Sequence, residues 1–374
     1  MSGIYIHIPF CKQACVYCDF HFSTLLGNRE IMVEAIIAEA KQRCEYLDFP
    51  IIDSLYFGGG TPSILGVDKI KWLIDELANI FAIDRETEIT LEANPDDLSA
   101  DYLAALKNSP VNRLSVGIQS FKEEDLRFMN RAHNAEESIR CLELLPEYGF
   151  DNYTVDLIYG LPKQSLADWQ WQLNFLKRFK VPHFSAYALT VEEKTVLYQQ
   201  VKTGQVSFAE DAAYQHFRAL QEFAQAEGYS HYELSNFCKP GFHSRHNTSY
   251  WQNKYYLGLG PSAHSYNGNS RSWNVANNTL YLKGLKAGNS FAKTESLAPK
   301  DVYNELVMTR LRLEKGLNLE ELREMGGDAC FEYCLAEAQP EIAQGRLYLE
   351  DGQLYIPAKY RFQSDGIAAN LFKV

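Results

Sequence analysis

The sequence predicts an α/β protein: a parallel sheet, open or closed into a barrel, followed by a small, mostly helical, winged-helix-like module. Three observations carry that expectation. Short runs rich in β-branched and aromatic residues alternate with helical periodicities through the first half of the chain. The alternation weakens after about residue 230, where Asn, Gly, Ser and Tyr accumulate. Residues 301–374 return to helical periodicity and then carry a hairpin signal.

The strand candidates are residues 3–8, 54–57, 88–92, 113–118, 153–159 and 183–189. Between them, Met32, Val33, Ile36, Ile37 and Ala40 form one helical stripe, and Ile70, Leu73, Ile74 and Leu77 another. Ser99 is placed to cap a helix carrying Leu103 and Leu106, and Ser165 one carrying Trp169, Leu173 and Leu176. Six such repeats with short connections assign residues 1–230 to one domain. Residues 231–300 read as strands and loops that extend it. In residues 301–374, helices over 301–313, 319–325 and 329–343 precede two alternating runs. Asp351 and Gly352 stand between those runs, the pair that a two-residue hairpin turn favours.

Hydrophobic residues make up 46% of the 374-residue chain and charged residues 22%, which supplies a real core. A formal net charge of −12 repels phosphate backbones, so nucleic-acid binding is not expected. Residues 301–374 are acidic as well, with eight Lys and Arg against thirteen Asp and Glu, which turns the winged-helix-like module away from DNA. No apolar run reaches the roughly 18 residues of a membrane span. No basic start followed by an apolar run marks a secretory signal, so a cytoplasmic protein is expected. Its eight cysteines are then reduced thiols, with metal ligation the leading use of any tight cluster. Cys44, Cys141 and Cys238 read as small buried hydrophobes.

One tight cluster follows the first strand: Cys11, Cys15 and Cys18, in the pattern Cx3Cx2C. Three thiolates within eight residues can wrap one soft metal centre. A structural zinc ion takes four protein ligands, and His21 is the one nearby candidate for a fourth. Three cysteines suit a four-iron cube with one iron left open to a small molecule. The other strand ends also carry unusual residues. Gly58, Gly59, Gly60 and Thr61 follow the second strand, Glu92 and Asn94 the third, Gly117 and Gln119 the fourth, and Asp156 and Gly160 the fifth. Functional residues of parallel barrels sit at those ends, and glycine lets backbone approach a ligand without a Cβ in the way.

On these motifs, in this order, the sequence resembles the radical SAM superfamily. The resemblance implies a partial parallel (β/α)6 barrel with a 4Fe–4S cluster on Cys11, Cys15 and Cys18 and S-adenosylmethionine held against it. It further implies that Tyr5, Tyr17, Gly59, Gly60, Thr61, Glu92, Gln119, Arg131 and Asp156 face S-adenosylmethionine. Tyr17 would lie near the adenine, and Arg131 would pair the cofactor's carboxylate through its guanidinium fork. An electron donor for the cluster is an implied partner.

Within the superfamily the sequence resembles the group that contains anaerobic coproporphyrinogen III dehydrogenases and HemW-type haem chaperones, most specifically over residues 3–190. The dehydrogenases continue their cysteine motif with a further cysteine where Phe20 stands here, and have an N-terminal extension, whereas Cys11 lies ten residues from the start of this chain. Both features match the chaperone branch. So do His246, Asn247, Tyr250 and Trp251, which fit that branch's HNxxYW pattern. An imidazole is an ordinary axial ligand of haem iron, and aromatic rings can cover a porphyrin face; the same residues can also pack a loop against the barrel. His243 and His264 are competing ligands, while His7 and His183 read as core or near-cluster residues. Cys330 and Cys334 repeat a Cx3C spacing with no further thiol beside them, so a second cluster is not expected. The resemblance thus implies a chaperone that carries haem to an acceptor haemoprotein. The alternative is an oxygen-independent coproporphyrinogen III dehydrogenase.

Overall fold

A computed structural model describes residues 2–47, 51–288 and 292–374. Six strands appear in the expected order: β1 (Ser2–Ile8), β2 (Ile52–Gly59), β3 (Glu88–Ala93), β4 (Arg113–Gln119), β5 (Tyr153–Tyr159) and β6 (His183–Ala188). Each pairs in parallel with the next. Their two faces differ. Ile4, Ile6 and Ile8 of β1, Leu55 and Phe57 of β2, Leu114, Val116 and Ile118 of β4, and Val155 and Leu157 of β5 join one apolar core with the helix stripes. That core takes in Met32 and Ile36 of helix Arg29–Gln42, Ile70 and Leu73 of helix Val67–Ala78, and Trp169 and Leu173 of helix Leu166–Arg178.

Side chains alternate across a strand, so the residues between share the face away from these helices. They are polar or small: Tyr5 and His7, Ser54 and Tyr56, Thr90 and Glu92, Ser115 and Gln119, Thr154 and Asp156, Ser185 and Tyr187. Parallel sheets are usually apolar on both faces. A polar inner face marks this one as the wall of a site.

The helices start where the sequence places their caps. Ser99 accepts from the Tyr102 N–H, and Ser165 forms a reciprocal capping box with Asp168. Asn134 and Glu137 make a second such box at the start of helix Ala135–Glu147.

The sheet then grows at both edges. β7 (Ser230–His231) and β8 (Asn236–Cys238) continue antiparallel from β6. On the other edge β9 (Tyr255–Leu259) lies parallel to β1, and β10 (His264–Tyr266), β11 (Ser270–Trp273) and β12 (Lys293–Ser296) follow antiparallel. The order is β12-β11-β10-β9-β1-β2-β3-β4-β5-β6-β8-β7. The parallel set therefore gains a strand beyond the six repeats of the sequence. No preceding repeat announces β9, and its run is broken by Gly258, where a Cβ would stand 2.0 Å from the His264 carbonyl oxygen.

The C-terminal residues build a second apolar core, with Tyr303, Leu306, Leu322, Cys334, Leu354 and Ile367 at its centre. Helix Pro299–Leu311 is followed by the helical run Leu319–Ala343, which breaks at Gly326 and Gly327, the point at which the sequence divides it. Three strands, β13 (Leu317–Asn318), β14 (Tyr348–Glu350) and β15 (Gln353–Tyr355), form a small sheet in the order β13-β15-β14. Asp351 and Gly352 turn its hairpin with φ of 49° and 76°, the left-handed pair that such a turn requires. Arg271 of β11 clamps Glu305 with both ends of its fork at 2.7 Å, and Arg361 donates to the His231 carbonyl at 2.6 Å, so the second core is docked on the sheet.

Trp169 is fully buried, and its indole N–H donates to the His216 carbonyl at 3.0 Å. Trp169→Ala is expected to destabilise the protein by about 3–5 kcal/mol, the range for removing a buried aromatic side chain. Urea unfolding measures this, and an unchanged midpoint would mean that helix Leu166–Arg178 does not pin the sheet.

Candidate functional site

The cysteine loop leaves β1 and is tied down on both flanks. Cys11 N–H donates to the Ser23 carbonyl at 3.1 Å, and Ser23 N–H to the Pro9 carbonyl at 2.9 Å. Gly60 N–H donates to the Ile8 carbonyl at 2.9 Å, and Thr61 N–H to the Phe10 carbonyl at 2.7 Å. A Cβ at position 60 would stand 2.5 Å from the Phe10 oxygen, so only glycine permits this approach. On the far flank Val16 N–H reaches the Met129 carbonyl, and the Asn130 side chain donates to the Ala14 carbonyl at 2.7 Å. The Lys12 ammonium pairs with Asp96 at 2.6 Å and with Asp97.

So held, Cys11, Cys15 and Cys18 face one cavity of about 590 Å³. Tyr17, Gly59, Gly60, Thr61, Glu92, Gln119, Arg131 and Asp156 line the same cavity, and exposed Phe20 stands at its rim. Tyr5 does not reach it. Its side chain lies one layer deeper, hydrogen-bonded to His7 Nδ1 at 3.2 Å and stacked on Tyr56 with ring centres 6.1 Å apart.

The donor set fits an iron–sulfur cube better than zinc. Ligands of one zinc ion must converge, whereas thiolates around a cube each take a different iron. His21 Nε2 is engaged by the Asn278 side chain at 2.7 Å rather than turned to the thiols. Burial pushes the Cys11 thiol up to about 11 and the Cys18 thiol up to about 12, so a bound cation is what would ionise them in place. The Thr61 hydroxyl lies 3.6 Å from Cys11 Sγ, and Arg131 Nη1 lies 3.4 Å from Cys15 Sγ; both are donors toward sulfur.

The walls suit a charged, polar small molecule. Arg131 donates to Asn94 Oδ1 at 2.6 Å and to the Gly117 carbonyl at 2.8 Å, while its buried Nε–H has no partner among the described residues. A carboxylate would satisfy that donor. Burial raises Glu92 to about 7, against the opposing hydrogen bond from the Tyr56 hydroxyl at 2.8 Å. Burial also raises Asp156, which accepts from the Ser115 hydroxyl at 2.9 Å. Two half-buried carboxyls lining a cavity favour an amine or hydroxyl donor from a ligand. Gln119 sits at an irregularity of β4 with φ of 64°, a strained conformation of the kind that clusters at ligand clamps.

Tyr56, Ser115, Ser185, Tyr187 and Asn247 also line the cavity. The sequence reading missed the first four because they stand in mid-strand; their signal is the inward alternation with Gly58, Gln119 and Asp156.

The segment that carries the haem-binding candidates packs on the sheet. It forms helix Arg245–Trp251, capped by Ser244 and laid against β1 and β2. The backbone N–H groups of Arg245 and His246 donate to the Glu88 carboxylate at 3.1 and 3.0 Å. His246 is 1% exposed, with Nδ1 bonded to Ser54 Oγ at 2.8 Å and Nε2 to the Tyr250 hydroxyl at 2.9 Å. Neither ring nitrogen is open to iron, so the packed-loop arrangement is the one found for His246 and Tyr250. Asn247 faces the cavity, and the Trp251 ring lies 5.3 Å from the Arg312 guanidinium. The open imidazoles are His243, beside the Tyr232 ring at 4.8 Å, and His264, stacked on Trp273 at 6.1 Å. His7 and His183 are buried, and Cys334 belongs to the second core.

Residues 5–176 match the family model of the radical SAM superfamily, and residues 297–359 that of the HemN C-terminal domain. The chain is 32% identical over 375 residues to the heme chaperone HemW of Mycobacterium tuberculosis, covering 99% of this chain and 94% of that protein. The chain belongs to the HemW family of radical SAM proteins. With the heme chaperone HemW of Bacillus subtilis it shares 32% identity over 331 residues, 87% of each protein. The solved structure of coproporphyrinogen III oxidase (HemN) from Escherichia coli, a radical SAM enzyme, matches 100% of this chain and 90% of its own at a TM-score of 0.86. At 22% identity that likeness is one of fold.

Cys11→Ala, Cys15→Ala and Cys18→Ala are each expected to abolish the cluster, read by iron and sulfide content after anaerobic reconstitution. Full cluster content in any of them would overturn the ligand assignment. Changing Cys44, Cys141, Cys238, Cys330 or Cys334 should leave the content unchanged. A second expectation concerns pH. Because the folded state holds the Glu92 proton up to about 7, well above the unfolded chain, the cluster-free protein binds more protons folded than unfolded between those values. Its stability should therefore fall as pH rises from about 5 to about 8, and Glu92→Gln should flatten that slope. An identical slope in the variant, followed by thermal melting, would remove Glu92 from the account.

Proposed function

We propose that this protein is a haem carrier that holds a 4Fe–4S cluster on Cys11, Cys15 and Cys18 and S-adenosylmethionine in the cavity beneath. The observation that carries the reading is the likeness over 99% of the chain to a heme chaperone, and one cavity lined by all three cysteines together with Glu92, Arg131 and Asp156 supports it. When bound, the reduced cluster supplies a single electron to the sulfonium of S-adenosylmethionine. The chain's own residues bind and orient. Arg131 offers its unpartnered Nε–H to the cofactor's carboxylate, Glu92 and Asp156 accept from its amine or ribose hydroxyls, and Tyr17 covers the adenine. Gly59, Gly60 and Thr61 bring backbone close to the methionine end.

In this reading haem is cargo and sits outside that cavity, because the interior walls are already committed to the cofactor. His264 is the favoured axial ligand: it is exposed, its imidazole makes no hydrogen bond among the described residues, and its ring stacks on Trp273 with centres 6.1 Å apart. The protein then works in the cytoplasm, takes electrons for its cluster from a reductase and hands haem to an acceptor haemoprotein. The dehydrogenase alternative has the fold in its favour, and fold alone does not carry chemistry.

Haem titration followed by the Soret band should saturate near equimolar, and His264→Ala should alter the spectrum more than His243→Ala or His246→Ala. Anaerobic incubation with coproporphyrinogen, S-adenosylmethionine and reductant should give no decarboxylated product. Turnover comparable with a dehydrogenase, or absence of haem binding, would sink the carrier reading.

A further inference from the structure

The helix Arg245–Trp251 spans from the inner face of the sheet to the C-terminal core, and three facts fix what it does there. Its His246 ring stacks on Tyr56 with centres 4.8 Å apart and planes 20° from parallel. Tyr56 in turn lines the cavity and donates its hydroxyl to Glu92 at 2.8 Å. Asn247, one residue on, lines the cavity itself. Beneath, the imidazole is held at both nitrogens by Ser54 and Tyr250, so the ring cannot turn. Burial holds it neutral, at about 3.

We infer that His246 is a positioning residue of the cofactor cavity: the helix is the cavity's floor, and the imidazole fixes Tyr56 so that its hydroxyl stays on Glu92. The inference rests on the reading that S-adenosylmethionine binds there. A clamped, neutral, fully bonded imidazole is a poor iron ligand and a good shelf. The far end of the same helix is gripped by the C-terminal core, where the Arg310 guanidinium donates to the Trp251 carbonyl and also pairs with Glu321. The floor is therefore shared between the two cores, and Tyr56 is held from below by both.

The groups that face Glu92 are Tyr5 from β1, Tyr56 from β2, Asp156 from β5, Tyr187 from β6, Tyr250 from the floor helix and Cys11 from the loop. Half-buried Tyr5, Tyr56 and Tyr250 and the exposed Tyr187 are all shifted upward and stay neutral across the neutral range, and Asp156 is bonded to Ser115. Loss of the Tyr56 donor would thus act on Glu92 selectively.

The experiment measures S-adenosylmethionine affinity of the reconstituted full chain from pH 6 to 8.5, for wild type, Tyr56→Phe, His246→Ala and the double variant. Each single variant is expected to bind about tenfold more weakly at pH 7, the loss of one hydrogen bond to a charged acceptor. The pH at which affinity rises should move upward in both, and the double variant should be no worse than the poorer single one. Should His246→Ala fail to fold, Tyr250→Phe and Ser54→Ala loosen the imidazole while keeping the floor packed, and should show smaller shifts in the same direction. A lowered melting temperature with an unmoved pH profile, or additive losses in the double variant, would overturn the inference. So would a changed haem spectrum in His246→Ala at unchanged S-adenosylmethionine affinity. If wild type itself does not bind S-adenosylmethionine, the cavity reading fails first, and that result is visible before any variant is compared.

Discussion

The backbone of Gly60 and Thr61 closes onto the carbonyls of Ile8 and Phe10, and the placement of the cysteine loop follows from that closure. It needs two things at once: β1 and β2 in parallel register, with Ile8 opposite Gly59, and no side chain at position 60. With both met, the loop crosses the strand ends at a fixed height. The second flank, through Val16, Ala14 and Lys12, then turns three thiols toward one cavity. Neither flank alone determines where Cys15 and Cys18 point.

The polar inner face is the second constraint, and it works against stability. Glu92 and Asp156 are half-buried carboxyls raised by desolvation, and Arg131 keeps a buried donor without a partner among the described residues. Such groups persist where a ligand completes them. A zwitterionic cofactor supplies the complement for both signs of charge, so this cavity is preorganised for one polar molecule and costs little reorganisation on binding. The same polarity makes it a poor bed for a flat, largely apolar tetrapyrrole.

Much of this was legible in the sequence for physical reasons. The strands β1 to β6 announce themselves because one face of each is apolar at every second residue, and Asp351–Gly352 because only such a pair turns a hairpin with two left-handed residues. The cysteine spacing and the residues at strand ends carried most of the cavity. What stayed hidden lay in mid-strand or depended on long-range contact. Tyr56 and Ser185 look like ordinary strand residues until the inward alternation is read across all six strands together. β9 has no repeat before it, and the burial of His246 depends on Ser54 and Glu88, far away in the chain. The segment whose residues could either contact haem or pack against the barrel forms a short helix on the sheet, with its first N–H groups on Glu88 and both His246 ring nitrogens bonded inside the fold.

The central claim is that one cavity joins a cluster on three cysteines to a cofactor held by strand ends. It is tested most directly by titrating S-adenosylmethionine calorimetrically into the reconstituted protein and into a variant in which Cys11, Cys15 and Cys18 are all Ala. The variant keeps Glu92, Asp156 and Arg131 but has lost the cluster. The account predicts equimolar binding to the first and at least about tenfold weaker binding to the second, as expected when one charged contact is removed. Equal affinity in the two would separate the cofactor from the cysteines and contradict it.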